Sequence, residues 1–131
     1  MIRCFKPEDQ NREFYAIMGR DFSSLVIAKE LERQLYNKPN TTWYVVTINY
    51  IALAFVSVCE YKEHYFVDNL FVHVGWRNNG FASKLIECVV NDFTDKPIKC
   101  IANNSYALKI FFKAGFVEVG NNGKYKKLEK Y

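Results

Sequence analysis

The run from His64 to Phe93 constrains this 131-residue chain more than any other part of it. His64 to Val74 is rich in aromatic and β-branched residues and turns almost wholly apolar towards its end, as in a strand buried on both faces. Ala82, Leu85, Ile86, Val89, Val90 and Phe93 then recur at helical spacing within Arg77 to Phe93. Ser83, Lys84, Glu87, Asn91 and Asp92 fall on the other side, so this helix has one apolar stripe and must lie on a sheet. Pro97 closes the connection and Ile98 to Ala102 is another short strand. Two strands joined through a helix pair in parallel.

The remaining elements follow from local signals. Ile2 to Phe5 reads as a strand, and Pro7 opens a helical stretch with Glu8 and Asp9 in its first turn and Phe14, Ile17 and Met18 on its apolar side. Ser23 or Ser24 caps a second helix to about Tyr36, with Ala28, Leu31 and Leu35 as its stripe, and Pro39-Asn40 ends it. Thr42 to Ile48 and Ile51 to Tyr61 are strands joined at Asn49-Tyr50, and Lys62-Glu63-His64 turns into the buried strand. Asn104 or Ser105 caps a last helix with Ala107, Ile110, Phe111 and Ala114 inward, and Gly115 stops it. Phe116 to Val119 and Tyr125 to Leu128 flank a turn at Asn121-Asn122-Gly123. The order is β-α-α-β-β-β-α-β-α-β-β. It predicts an α/β (α+β) domain over residues 1–131, a mixed sheet of about six or seven strands with its helices on both faces.

Composition narrows the function. Apolar residues make up 50% and charged residues 24%, which excludes a disordered chain, and 17% aromatics predict a ring-rich core. The net charge of +4 favours solubility first and anionic ligands second. Cys4, Cys59, Cys88 and Cys100 form no CxxC pair and only two histidines accompany them, so no metal is expected. The N-terminus carries charges where a secretory signal needs an apolar run, which points to the cytoplasm and to free thiols. The longest apolar stretch, Trp43 to Cys59, is broken by Thr47, Asn49 and Ser57, so no membrane span is expected.

The chemistry is expected in the turn between the buried strand and the one-sided helix. Gly75 to Asn79 form the turn and Gly80 precedes the helix. Amides at a helix start have no intrahelical acceptor and, with the helix dipole, suit a phosphate. Gly80 and the small Ala82 allow close approach, and Arg77 adds a cation.

Arg77-Asn78-Asn79-Gly80-Phe81-Ala82 fits the pattern [RQ]-x-x-G-x-[GA], with Trp76 in the aromatic slot before it. Asn104, Ala107, Phe111, Lys113, Gly115 and Phe116 fit a second pattern, N-x-x-A-x-x-x-[YF]-x-K-x-G-F. In these two motifs the chain resembles the GNAT superfamily of acyl-CoA-dependent N-acetyltransferases, most closely from about Trp43 to Val119. The resemblance implies an acetyltransferase with acetyl-CoA as co-substrate and a primary amine, small molecule or peptide, attacking directly in a ternary complex. It implies that amides from Asn79 to Ser83 cradle the pyrophosphate. Leu70, Phe71 and Val72 would offer main-chain groups to the pantetheine, one strand N–H would face the thioester carbonyl, and Asn104 would bond the pantetheine arm. Lys113 would reach a CoA phosphate, against the plainer reading of a solvated lysine. A homodimer is also compatible.

Three positions depart from the family pattern. The last-helix slot that often holds a proton-donating tyrosine is Phe111, and two slots that often hold a glutamate base are Phe66 and Lys99. Asp68 is the base candidate that remains, sharing a face with Phe66, Leu70 and Val72 by strand alternation, while His73 falls on the opposite face. The plainer reading of Asp68 is a carboxylate held by an N–H or a cation. Tyr106 is a further proton donor if its helix turns it inward. These departures leave a runner-up, a catalytically weak module that binds CoA or a protein. A third reading, a nucleic-acid-directed acyltransferase, rests on Lys124, Lys126, Lys127 and Lys130, with Lys124, Lys126 and Lys130 on one side of a strand. A lysine-protected edge strand is the preferred account of that tail, with no nucleic-acid partner.

Overall fold

A computed structural model describes residues 1–131. The chain runs β1 (Ile2–Phe5), α1 (Arg12–Phe22), α2 (Leu25–Leu31), β2 (Thr41–Ile48), β3 (Ile51–Glu60), β4 (Tyr65–Val72), α3 (Phe81–Asp92), β5 (Ile98–Ala102), α4 (Ser105–Lys113), β6 (Val117–Asn122) and β7 (Tyr125–Lys130). This is the order read from the sequence. The seven strands form one sheet in the order β1-β2-β3-β4-β5-β7-β6. Every neighbouring pair is antiparallel except β4 and β5, which are parallel across α3.

Several boundaries differ from the sequence reading, each for a local reason. Pro7–Asp9 is a single 3-10 turn, and α1 begins after Asn11, whose side chain accepts from the amides of Glu13 and Phe14. The second helix stops at Leu31, well before Tyr36, because Glu32 takes a left-handed conformation (φ 64°) and closes the helix end. Leu35 is still buried, carried inward by the loop rather than by a helical stripe. The last hairpin turns at Gly123 (φ 65°) and Lys124, after a β6 that runs on through Asn122. Asn49 and Tyr50 make the tight turn expected between β2 and β3, both with positive φ.

The sheet separates two cores. On one face α3 and α4 lie on Val56, Val58, Tyr65, Val67 and Leu128, with Leu85, Ile86 and Val89 as the buried stripe of α3. On the other face α1 and α2 cover only the β1–β4 side through Phe14, Ile17, Met18, Ile27, Trp43 and Phe55. The rings expected from the composition concentrate there, where Trp43 meets Phe14, Phe22 and Phe55.

A bulge in β4 changes which residues share a face. Phe55 opposes Phe71 but Ser57 opposes Asp68, so Asn69 and Leu70 together face Val56. Asn69 takes φ 58° at that point. Before the bulge Tyr65 and Val67 point to the α3–α4 core; after it Leu70 and Val72 do, and Phe71 joins the α1–α2 core. The extra residue thus breaks the simple alternation. Asp68 stays with Phe66 but not with Leu70 and Val72, and His73 falls on the same side as Asp68 rather than opposite it.

Candidate functional site

The parallel strands β4 and β5 keep register only from Tyr65 to Val67 and from Ile98 to Cys100. Both continue beyond that, to Val72 and Ala102, without pairing to each other. The edge of β4 from Asp68 to Val72 therefore presents peptide groups to an opening rather than to a strand. A cavity of about 870 Å³ occupies the parting and passes through the sheet. Leu70, Val72, Ala82, Ala102, Ala107 and Phe111 line it on the α3–α4 side. Glu32, Arg33, Phe66, Asp68, Tyr125 and Lys127 line it on the α2 side.

The α3–α4 mouth is made largely of peptide groups and apolar side chains. The turn into α3 has Asn78 at φ 67° and Gly80 at φ 77°. Gly80 is the N-cap residue and carries no capping side chain, so the amides at the start of α3 are not satisfied by a cap. Successive N–H groups in such a turn form a concave anion seat. Asn79 braces it, donating to the carbonyls of Trp76 (3.1 Å) and Arg77 (3.3 Å). Ser83 is exposed on the first turn of α3, Phe81 packs partly on the core, and Ala82 is buried at the cavity wall. The helix begins at Phe81, after the turn, rather than at Arg77.

Arg77 is not a free cation at the rim. Its Nε donates to the Val72 carbonyl (2.8 Å), its Nη2 to both oxygens of Glu30 (3.0 and 2.8 Å), and its guanidinium lies 5.6 Å from the Phe71 ring centre. Asn104 lines the cavity and caps α4, its Oδ1 accepting from the Ala107 amide (2.8 Å). Lys113 stands exposed at the other end of α4, outside the cavity, because the helix separates it from Asn104 by two turns. Phe111 is buried against Phe116, ring edge to face at 5.1 Å, and closes the wall without a polar atom.

The α2 mouth is built from ion pairs that link distant segments. Asp68 accepts from Arg33 and from the Asn69 amide (2.9 Å), and Arg33 also donates to Asn69 Oδ1 (3.0 Å). The carboxylate is held by a cation and an N–H, the plainer of its two expected roles. Glu32 accepts from Lys124 Nζ and from the Tyr125 hydroxyl, both at 2.6 Å. These bonds hold the Glu32 carboxyl below the usual carboxylate range, the lysine contributing most, and push Lys124 up. Phe66 and Lys99 sit side by side in register and offer no carboxylate. Tyr106 is half-exposed at the cavity rim.

Glu30, Glu32, Arg33 and Tyr125 did not stand out in the sequence. Charged residues at a helix end read as a solvated surface, and only the left-handed turn at Glu32 and the long β6–β7 hairpin bring them to the cavity.

Other sequence candidates lie elsewhere. His73 Nε2 sits 3.1 Å from both oxygens of buried Asp21, beneath the α1 helix. No cysteine lines the cavity, and burial pushes the Cys100 thiol up to about 12. Of the three C-terminal lysines expected on one side, Lys126 and Lys130 share it and Lys124 does not. Lys126 and Lys130 pair with Ala102 and Ile98 and share the face of Leu128, Lys127 faces the cavity, and Lys124 sits in the turn bound to Glu32. No helix is long and apolar enough to cross a membrane.

Comparison with known proteins adds to this geometry. The family model for an acetyltransferase (GNAT) domain matches residues 6–129. Among solved structures, an acyl-CoA N-acyltransferase from Pseudomonas aeruginosa superposes with a TM-score of 0.76 at 14% identity, covering 100% of this chain and 99% of that one. Escherichia coli ElaA gives 0.78 at 12% identity, with 100% and 99% covered. A chain of the NatC complex bound to Gag peptide and CoA gives 0.65 at 18% identity, with 98% and 97% covered. At these identities the likeness is one of fold. No curated protein sequence matches the chain.

Proposed function

The chain belongs to the GNAT acetyltransferase family, and on that premise we propose that it transfers an acetyl group from acetyl-CoA to a primary amine by direct attack in a ternary complex. One observation carries the reading: the parting of β4 and β5 opens a passage with a peptide-lined mouth on one side of the sheet and a charged mouth on the other. A carrier and an acceptor can then meet in the sheet plane without sharing an entrance.

The residues present fit an acyl-CoA. Its diphosphate suits the amides that follow Gly80, where two left-handed residues and an uncapped helix start converge. The peptide edge of β4 at Leu70 and Val72 suits the pantetheine amides, as an added strand would, with the Val72 carbonyl shared with Arg77. Leu70, Val72, Ala102 and Phe111 give its carbon chain an apolar wall. Asn104 caps α4 through its Oδ1 and holds its Nδ2 at the cavity edge, where it donates to Asn103 Oδ1 (3.1 Å). The acetyl-CoA supplies an activated thioester.

The chain's contribution is positioning and charge stabilisation. A β4 amide beside the bulge faces negative charge growing on the thioester oxygen, a contribution worth about 3–4 kcal/mol in acyl transfer. Holding amine and thioester together contributes up to about 7–11 kcal/mol. The departing thiolate is a fair leaving group, with a thiol pKa of about 8.5. Asp68, tied to Arg33, borders the acceptor entrance, and the proton that the attacking amine releases passes through solvent to the departing thiolate.

The runner-up, a CoA-binding module with little turnover, is favoured by the lack of a proton carrier at Phe111, Phe66 and Lys99. Calorimetry with CoA and thiol release with an amine panel separate the two. Binding with turnover supports the transferase, and binding without turnover on any amine supports the module. The absence of heat on CoA titration removes both.

A further inference from the structure

The charged mouth already contains a bound primary ammonium: the chain's own Lys124. Its Nζ lies 2.6 Å from Glu32 Oε1 and 5.2 Å from the centre of the Tyr125 ring, and the Tyr125 hydroxyl fills the other Glu32 oxygen at 2.6 Å. Glu32 and Tyr125 both line the through-sheet cavity.

Three carboxylates border this mouth, and they are not equally replaceable. Glu30 is gripped by both of its oxygens, through an Arg77 that is also anchored on the Val72 carbonyl. Asp68 is the least exposed of the three and has an amide partner besides Arg33. Glu32 is held by a lysine that is the most exposed cation of the three pairs, on a two-residue hairpin turn beside Gly123. An ammonium is a compact point charge on a flexible stem and exchanges for another ammonium without any change of geometry at the carboxylate. The ring face of Tyr125 attracts either one.

We propose that Glu32 and Tyr125 form a docking site for a second cationic group on the acceptor, a site that Lys124 fills until such an acceptor displaces it. The acceptor class is then a primary amine that carries another ammonium some distance along its chain: a diamine, a polyamine or a lysyl-type group. This rests on the acetyltransferase reading for the fate of the acceptor's other nitrogen, but the docking site itself needs no turnover.

Its test is calorimetric titration of the full chain with 1,5-diaminopentane and with 1-aminopentane, in the presence and absence of CoA. Lys124→Met should tighten the diamine about tenfold, as for a charge-assisted contact of about 1.4 kcal/mol. The same variant should tighten the monoamine less, because its single ammonium reaches Glu32 or the thioester but not both. Glu32→Gln should erase the preference for the diamine, and Glu32→Gln combined with Lys124→Met should show no gain. High salt should shrink the gain. A diamine preference that survives Glu32→Gln, a Lys124→Met variant that binds both amines as the parent does, or no diamine binding at all overturns the proposal. Failure of CoA binding, with the diamine effects intact in its absence, would instead strike the acetyltransferase reading and leave the docking site standing.

Discussion

The two mouths of the cavity are built from opposite materials. The α3–α4 mouth offers main-chain amides, a left-handed glycine and buried apolar side chains, supplied by the stretch from β4 into α3, by the end of β5 and by α4. The α2 mouth offers side-chain charges paired across the fold, Glu30 with Arg77, Glu32 with Lys124 and Arg33 with Asp68. A backbone-built mouth takes its chemistry from peptide groups that most side-chain substitutions leave in place, so it changes only where the backbone conformation or the apolar wall does. A side-chain mouth held by half-exposed ion pairs costs little stability to alter and can be retuned to a different acceptor.

That contrast can be broken most forcefully at Phe111. Truncation to alanine removes a buried ring from the wall of the first mouth and should cost about 3–5 kcal/mol of stability in urea unfolding. A loss below about 1 kcal/mol would mean that the wall collapses freely and is not rigid.

Gly80→Val is next. No atom lies within 4 Å of a Cβ added there, but φ 77° disfavours any residue with a branched Cβ. The expected strain is about 1–2 kcal/mol. CoA affinity measured by calorimetry should fall at least about tenfold. Acceptor binding should stay unchanged, which is the sharper half of the prediction.

Asp68→Asn should do the reverse. The Arg33–Asp68 pair is partly exposed, so its loss should cost no more than about 1 kcal/mol. Its effect should fall on the acceptor KM, with CoA affinity unmoved; equal effects on both would erase the division between the mouths.

At neutral pH the smallest effect concerns the ionisation of Cys100, the last paired residue of β5 before the parting. Burial raises its thiol from 9.0 to about 12, so the folded state keeps a proton that the unfolded state loses. Full stability is then present below pH 9.0 and is lost as pH rises towards about 12. In Cys100→Ala the decline of stability over that window should be shallower, whatever the offset at neutral pH.

The first mouth was legible in the chain because its chemistry is local. Gly80 after a buried strand and before a one-sided helix already implies a turn of exposed amides, and Asn104 before Ala107 already implies a cap. The second mouth was not legible. Glu32 and Lys124 are far apart in sequence, and neither residue carries a pattern that names the other. The misread alternation around Asp68 has the same origin: one extra residue in β4 reverses every later side chain, and no residue type announces it.

By itself the sequence determined the order of elements, the parallel crossover and the amide-lined turn, because periodicity and capping act over a few residues. Only the tertiary structure decided where β4 and β5 part, which faces their side chains take and which charges meet across the opening. Those depend on strand register and long-range packing, and free energy of that kind is distributed over contacts between residues that are distant along the chain.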